Sequence, residues 1–178
     1  MDLVINVNDD LVNNILISSN QNIKWFKAKP KNYHFKYLKN KGLIDYVTRY
    51  FTSKSGIDFS NSFTENAIPI YKITPESSIG YEPLSFNNKT YIPFYIILGL
   101  SSEQNYKGGE MLFNMNVSVS DKSRNFRIFN AKNTKYHKLD RGQFIIVNNK
   151  KALFKISKVK EGTLSFAIIP FKDFIFKN

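Results

Sequence analysis

The sequence predicts a mainly β fold with flanking helices, of the sandwich, barrel or jelly-roll type. Three observations point there. From Ile68 onward, short apolar runs rich in β-branched and aromatic residues follow one another. Turn-forming pairs separate them: Asn87-Asn88, Gly108-Gly109, Asn148-Asn149 and Glu161-Gly162. Helical periodicity is missing between the runs, so a parallel sheet built on crossover helices does not fit.

The elements divide one domain, residues 1–178, into an N-terminal helical and mixed support region (1–66) and a β core (67–178). An apolar run from Leu11 to Ile17 comes first, followed by the basic aromatic stretch IKWFKAKPKNYHFKYLKNK. After Gly42, the residues Leu43, Val47, Tyr50 and Phe51 recur at helical spacing. They predict an amphipathic helix running to Ser53, with Gly56 as its stop. The predicted strands are IPIYKI, YIPFYIILGL, EMLFNMNVSV, FRIF, QFIIVN, ALFKISKV and TLSFAIIPF.

A chain of 178 residues can bury about two-thirds of its unfolded surface in a single core. With 42% hydrophobic and 15% aromatic residues it has the side chains to fill that core, which excludes a disordered chain. Cysteine is absent, which rules out disulfides, thiolate metal sites and cysteine nucleophiles. No run approaches the roughly 20 apolar residues of a membrane span. Acids stand in MDLVINVNDD where a secretory signal would be basic, so an intracellular location, cytoplasm or nucleus, is expected. The net charge of +12 raises the question of a polyanion partner. The lysines are scattered, however, and the chain is rich in Asn, Lys, Ile and Phe, as AT-rich genomes produce. Solvated surface lysines are the expectation.

No phosphate-cradling glycine loop, nucleophile elbow or His-Glu-x-x-His is present. The two histidines, His34 and His137, have no carboxylate at metal-ligand spacing. Glu76, Glu82, Glu103, Glu110, Asp140, Glu161 and Asp173 are isolated acids rather than pairs. No catalytic constellation emerges from the residues themselves.

Two segments in order nevertheless carry a resemblance. FYIILGLSSEQNYKGGEMLF, residues 94–113, resembles a strand, loop and Gly-Gly-Glu strand opening of prolyl-hydroxylase-type 2-oxoglutarate/iron(II) oxygenases. Residues 138–171 are similar to the closing segment of that family, with Gly142, Val159 and Gly162 in its glycine-turn and Val-x-x-Gly places. IPIYKI followed by Gly80-Tyr81 is a weaker match to the approach to the family's His-x-Asp motif. The resemblance covers residues 68–171 and implies a double-stranded β-helix, or jelly roll, of the prolyl hydroxylase type. Such enzymes hold Fe(II) with two histidines and a carboxylate. Here the implied positions read Leu84 and Phe86 for His-x-Asp, Phe154 for the distal histidine and Leu164 for the basic anchor of 2-oxoglutarate. Gly108 and Gly109 suit a tight loop of positive φ, with Glu110 opening an ordinary strand.

With those positions apolar, the resemblance implies a chain that is not an enzyme and takes no metal or cofactor. It would act as a protein-interaction module, in the manner of a viral modulator that binds a host factor such as a prolyl hydroxylase. Two alternatives stand beside it. One is an active Fe(II)/2-oxoglutarate hydroxylase with rearranged ligands. The other is a nucleic-acid-binding protein using the 24–41 segment, with Lys24, Trp25, Lys27, Lys29 and Lys31 as polyanion contacts and Trp25, Phe26, Tyr33 and Tyr37 as stacking rings. The simpler expectation for that segment is rings on the core and lysines in water.

Overall fold

A computed structural model of the chain describes residues 4–6, 9–19, 25–27, 33–55, 67–75, 77, 79–82, 85–86, 90–91, 94–115, 134–148 and 152–171. Along the chain run β1 (Val4–Asn6), α1 (Asp9–Ser19), β2 (Phe26–Lys27), β3 (His34–Leu38) and α2 (Lys41–Ser55). Then come β4 (Ile68–Ile73), β5 (Ile79–Glu82), β6 (Ser85–Phe86), β7 (Thr90–Tyr91) and β8 (Phe94–Gly99). A 3-10 turn (Glu103–Asn105) leads into β9 (Tyr106–Gly108), β10 (Met111–Met115), β11 (Thr134–His137) and β12 (Gln143–Asn148). The chain closes with β13 (Ala152–Ile156), β14 (Val159–Gly162) and β15 (Leu164–Phe171).

The strands assemble into a seven-stranded sheet, β1-β12-β8-β15-β4-β3-β2, and a four-stranded sheet, β11-β10-β13-β5. Between β4 and β15 the chain shuttles between them: β4 large, β5 small, β8 large, β10 and β11 small, β12 large, β13 small, β15 large. That exchange is the winding of a double-stranded β-helix, and the expected jelly roll is the observed fold. Its shape follows from side-chain alternation. On β8, Tyr95 and Ile97 enter the core between the sheets, joined by Ile145, Val147, Phe166 and Ile168. The intervening Ile96 and Leu98 enter a second core on the other face, with Ala167 and Ile169. The strands in the middle of the large sheet are apolar on both faces because both are covered.

The helices cover the outer face. Asp9 and Asp10 suit the positive N-terminal end of α1, and Leu11, Val12 and Ile15 are fully buried. Asn40 caps α2, its Oδ1 accepting from the Leu43 amide at 3.1 Å. Leu43, Ile44 and Val47 then pack into the same core. The amphipathic helix therefore begins at Lys41, just before the expected Gly42, because Asn40 caps it.

Three expectations about strand limits are corrected. The run ALFKISKV is two strands, since Ser157 and Lys158 leave the four-stranded sheet: the Ser157 amide donates to the Glu110 carbonyl at 2.9 Å, and Val159 turns to β9. The pair Glu161-Gly162 lies inside β14 instead of in a break, and the interruption falls at Thr163. In YIPFYIILGL the main strand starts at Phe94, with Tyr91 in the β6-β7 ribbon. The run FRIF, the pair Asn87-Asn88 and the stop at Gly56 lie outside the described residues.

Gly108 and Gly109 do adopt positive φ, 73° and 66°. Glu110 does not open the strand as expected, since β10 starts at Met111. The Glu110 carboxylate accepts from the Ser157 hydroxyl at 2.5 Å, and its amide donates to that same oxygen at 3.0 Å. The hydroxyl bond above all holds the Glu110 pKa below the usual carboxylate value, with the Lys138 and Lys160 charges adding a little. A depressed carboxylate pKa adds stability above the unfolded value, and that stability disappears as pH falls through the folded value. Ser157→Ala should therefore lose less stability than the wild type between pH 6 and pH 3, as read from urea midpoints. Equal losses would show that the clamp does not set this titration.

Gly162 has φ 72°, and a Cβ there would collide with the Asn105 carbonyl. Left-handed backbone costs a non-glycine residue roughly 1–2 kcal/mol, with the collision adding to it. Gly162→Ala should destabilise by more than about 2 kcal/mol in urea unfolding. A loss below about 0.5 kcal/mol, the usual range of a neutral surface change, would contradict the β9-β14 packing.

Candidate functional site

The candidate site is the space between the two sheets, where β13 and β15 face each other across the roll. Phe154 lies on β13 directly opposite Phe113 of β10 and Glu82 of β5. Phe113 is fully buried in the inter-sheet core. Leu164 opens β15 opposite Ile73, and both are fully buried in that core. Phe86 pairs with Thr90 in the separate β6-β7 ribbon. Leu84, Lys24, Lys29 and Lys31 lie outside the described residues.

The surroundings of Leu164 are apolar. Ile73, Tyr95, Met111, Phe113, Ile156 and Phe166 share its core. Tyr71 stacks on Phe166 with centroids 5.2 Å apart and planes 8° off parallel, closing one end of the aromatic packing. At the other end Tyr106 donates from its hydroxyl to the Leu139 carbonyl at 2.6 Å, while Lys138 Nζ donates to the Tyr106 carbonyl at 3.1 Å and lies 4.8 Å from its ring. Burial, reinforced by the charges of Glu103, Asp140 and Glu110, pushes the Tyr106 phenol far above its ordinary value. That phenol remains a hydrogen-bond donor at any physiological pH, and its role is to fasten β9 to the loop before β12.

Iron of the oxygenase kind requires two imidazoles and a carboxylate converging on one point. His34 sits on β3 of the large sheet and His137 ends β11 of the small one, where its Nε2 lies 3.1 Å from Gln143 Oε1. Among the described residues no three His, Asp or Glu side chains come together. The described donor set does not fit the metal.

The basic aromatic segment corrects one expectation and adds two residues the sequence reading missed. Trp25 is half-buried and packs against the helix-covered core, as expected of its ring. Lys36 does not face water: only 3% of it is exposed. Its Nζ donates to the Ser19 carbonyl, and it stands 4.3 Å from the Trp25 ring centroid, with Lys72 Nζ at 4.7 Å. The alternation His-Phe-Lys-Tyr-Leu of β3 held the signal, because Lys36 keeps register with buried Leu38. Lys27 is on β2, opposite His34. Among the described residues no helix is long and apolar enough to cross a membrane.

No family model and no curated protein matches the sequence. Solved structures do resemble the fold. An oxidoreductase of the 2OG-Fe(II) oxygenase family from Burkholderia pseudomallei superposes with a TM-score of 0.63 at 10% identity, over 92% of this chain and 79% of that one. A Pseudomonas putida prolyl-4-hydroxylase gives 0.59 at 8% identity, over 96% and 92%. A viral collagen prolyl hydroxylase from Paramecium Bursaria Chlorella virus-1 gives 0.54 at 15% identity, over 96% and 94%. At these identities the likeness concerns architecture: the chain has the double-stranded β-helix fold of the 2-oxoglutarate/iron(II) oxygenases.

Proposed function

We propose that the chain is a catalytically inactive protein on the oxygenase fold that works as a protein-interaction module. The observation that carries this reading is the apolar filling of the space between the sheets. Leu164 is fully buried where the resemblance puts the anchor for 2-oxoglutarate, and position 154 stands opposite buried Phe113 where it puts the distal histidine. Neither leucine nor phenylalanine can ligate a metal or pair with a carboxylate. A carboxylate brought into such an interior without a cationic partner costs several kcal/mol. The AT-biased composition fits a large-DNA-virus protein. On this reading it binds a host factor, of which a prolyl hydroxylase is the first to test.

The named neighbours keep one rival in view, since the viral collagen prolyl hydroxylase among them is described as a 2OG complex. An active hydroxylase with rearranged ligands would bind such ligands too. Thermal and calorimetric titrations with Mn(II) and 2-oxoglutarate, together and singly, separate the readings. No stabilisation is expected. A ligand at a hundred times its dissociation constant adds about 2.7 kcal/mol, so a saturable gain of that size would establish the active reading instead. For the partner, a stable complex with a host prolyl hydroxylase on size-exclusion chromatography is expected; elution as separate species would remove that candidate.

Leu164→Ala tests the packing itself. Emptying a leucine site inside a closed core costs about 2–5 kcal/mol. Denaturant unfolding should show that loss. A cost below about 1 kcal/mol would mean that the site is open to water, as a working pocket would be.

A further inference from the structure

We infer that the outer, helix-bearing side of the large sheet carries an oxyanion site, formed by Lys36, Lys72 and His34 around Trp25, that takes a phosphate group. The strand register brings the three basic residues together. His34 is directly opposite Lys72 across the β3-β4 pair, and Lys36, opposite Ile70, is one rung further along. The face they share is fixed by their neighbours: Leu38, Ile68 and Ile70, in step with them, all enter the core beneath the helices. Ser165 extends the row from β15, being opposite Lys72.

Among the described residues neither lysine has a carboxylate partner; the described ion pairs, Lys107–Glu161 and Arg141–Asp9, lie elsewhere. Lys36 is buried, its Nζ held by the Ser19 carbonyl at the C-terminal end of α1 and by the Trp25 ring. One carbonyl and one shared indole face are weak compensation for two ammonium groups, since a cation–π contact contributes roughly 0.5–2 kcal/mol. The Nδ1 of His34 is buried with no hydrogen-bond partner among the described residues. Burial and the nearby Lys72 charge lower the Lys36 pKa, consistent with a cation short of negative charge. Two lysines and an imidazole N–H offer a dianion both charge and directional donors, which a phosphate uses better than a monovalent ion. This place is separate from the space between the sheets and does not depend on the function proposed above.

Trp25 is the only tryptophan in the chain, so its emission reports on this site alone. The full-length protein is titrated at pH 7 with sodium phosphate, and with sodium chloride at matched ionic strength. Phosphate should change Trp25 emission saturably as it draws the ammonium groups from the ring, while chloride should not. Lys72→Gln, at a half-buried position that should tolerate it, should weaken the phosphate response at least tenfold with an unchanged melting temperature. Lys39→Gln, at an exposed position beyond the row, should leave the response as in the wild type. A thymidine dodecamer distinguishes the source of the phosphate. Half-saturation at a tenfold lower concentration of phosphate groups than inorganic phosphate, lost in Lys72→Gln, assigns the site to a nucleic-acid strand; equal half-saturation assigns it to a free phosphate. No saturable response to either probe, or a Lys72→Gln curve that overlays the wild type, overturns the site.

Discussion

The structure depends on one constraint: the middle of the large sheet must be covered on both faces at once. Strands β12, β8, β15 and β4 carry apolar side chains to both sides, so a layer on one side alone would leave the other in water. Each such residue, when fully buried, contributes roughly 1.5–3 kcal/mol. The four-stranded sheet answers for the inner face and the two helices for the outer. The chain has to shuttle between sheets to build the first cover, and its N-terminal region supplies the second. The jelly-roll path and the helices outside it are two consequences of the same hydrophobic demand.

That demand fixes positions more than it fixes chemistry. Leu164 and Phe166 stand on β15 where two successive inward places are available, and both are apolar. The same backbone in an oxygenase could present charged or ligating side chains there, because a fold supplies places and not functions. Two polar groups near the end of the roll are fastened by hydrogen bonds. Tyr106 is tied to the Leu139 carbonyl, and Glu110 to Ser157. Each joins segments far apart in sequence, and together they hold the β9-β14 ribbon against the end of the roll. Gly162 belongs to this fastening, since only a residue without Cβ can pass so close to Asn105.

The outer face shows the converse. Helix α1 ends at Ser19, whose carbonyl receives Lys36 from the third strand. The row His34, Lys36 and Lys72 borders the apolar core on this face, and among the described residues no acid pairs with either lysine. Within one strand, the same alternation that buries Leu38 carries Lys36 into the interior. A period of two does not distinguish a lysine from a leucine; it only says which face the residue will meet.

The sequence by itself determined the class of fold, the amphipathic helix and most of the core strands. Those signals are local: runs such as IPIYKI and QFIIVN, helical spacing from Leu43 to Tyr50, glycines where the backbone turns left-handed. It also showed the lack of a catalytic constellation in the primary structure and the resemblance that led to positions 154 and 164. Only the tertiary structure decided which runs were split, because Ser157 leaves its sheet through a bond to Glu110, 47 residues away. It alone decided that Lys36 is buried beside Trp25 while Lys72 joins it from another strand. Such contacts depend on register between distant segments, and register is set by how two faces of a sheet are filled together. No window of a few residues contains that information.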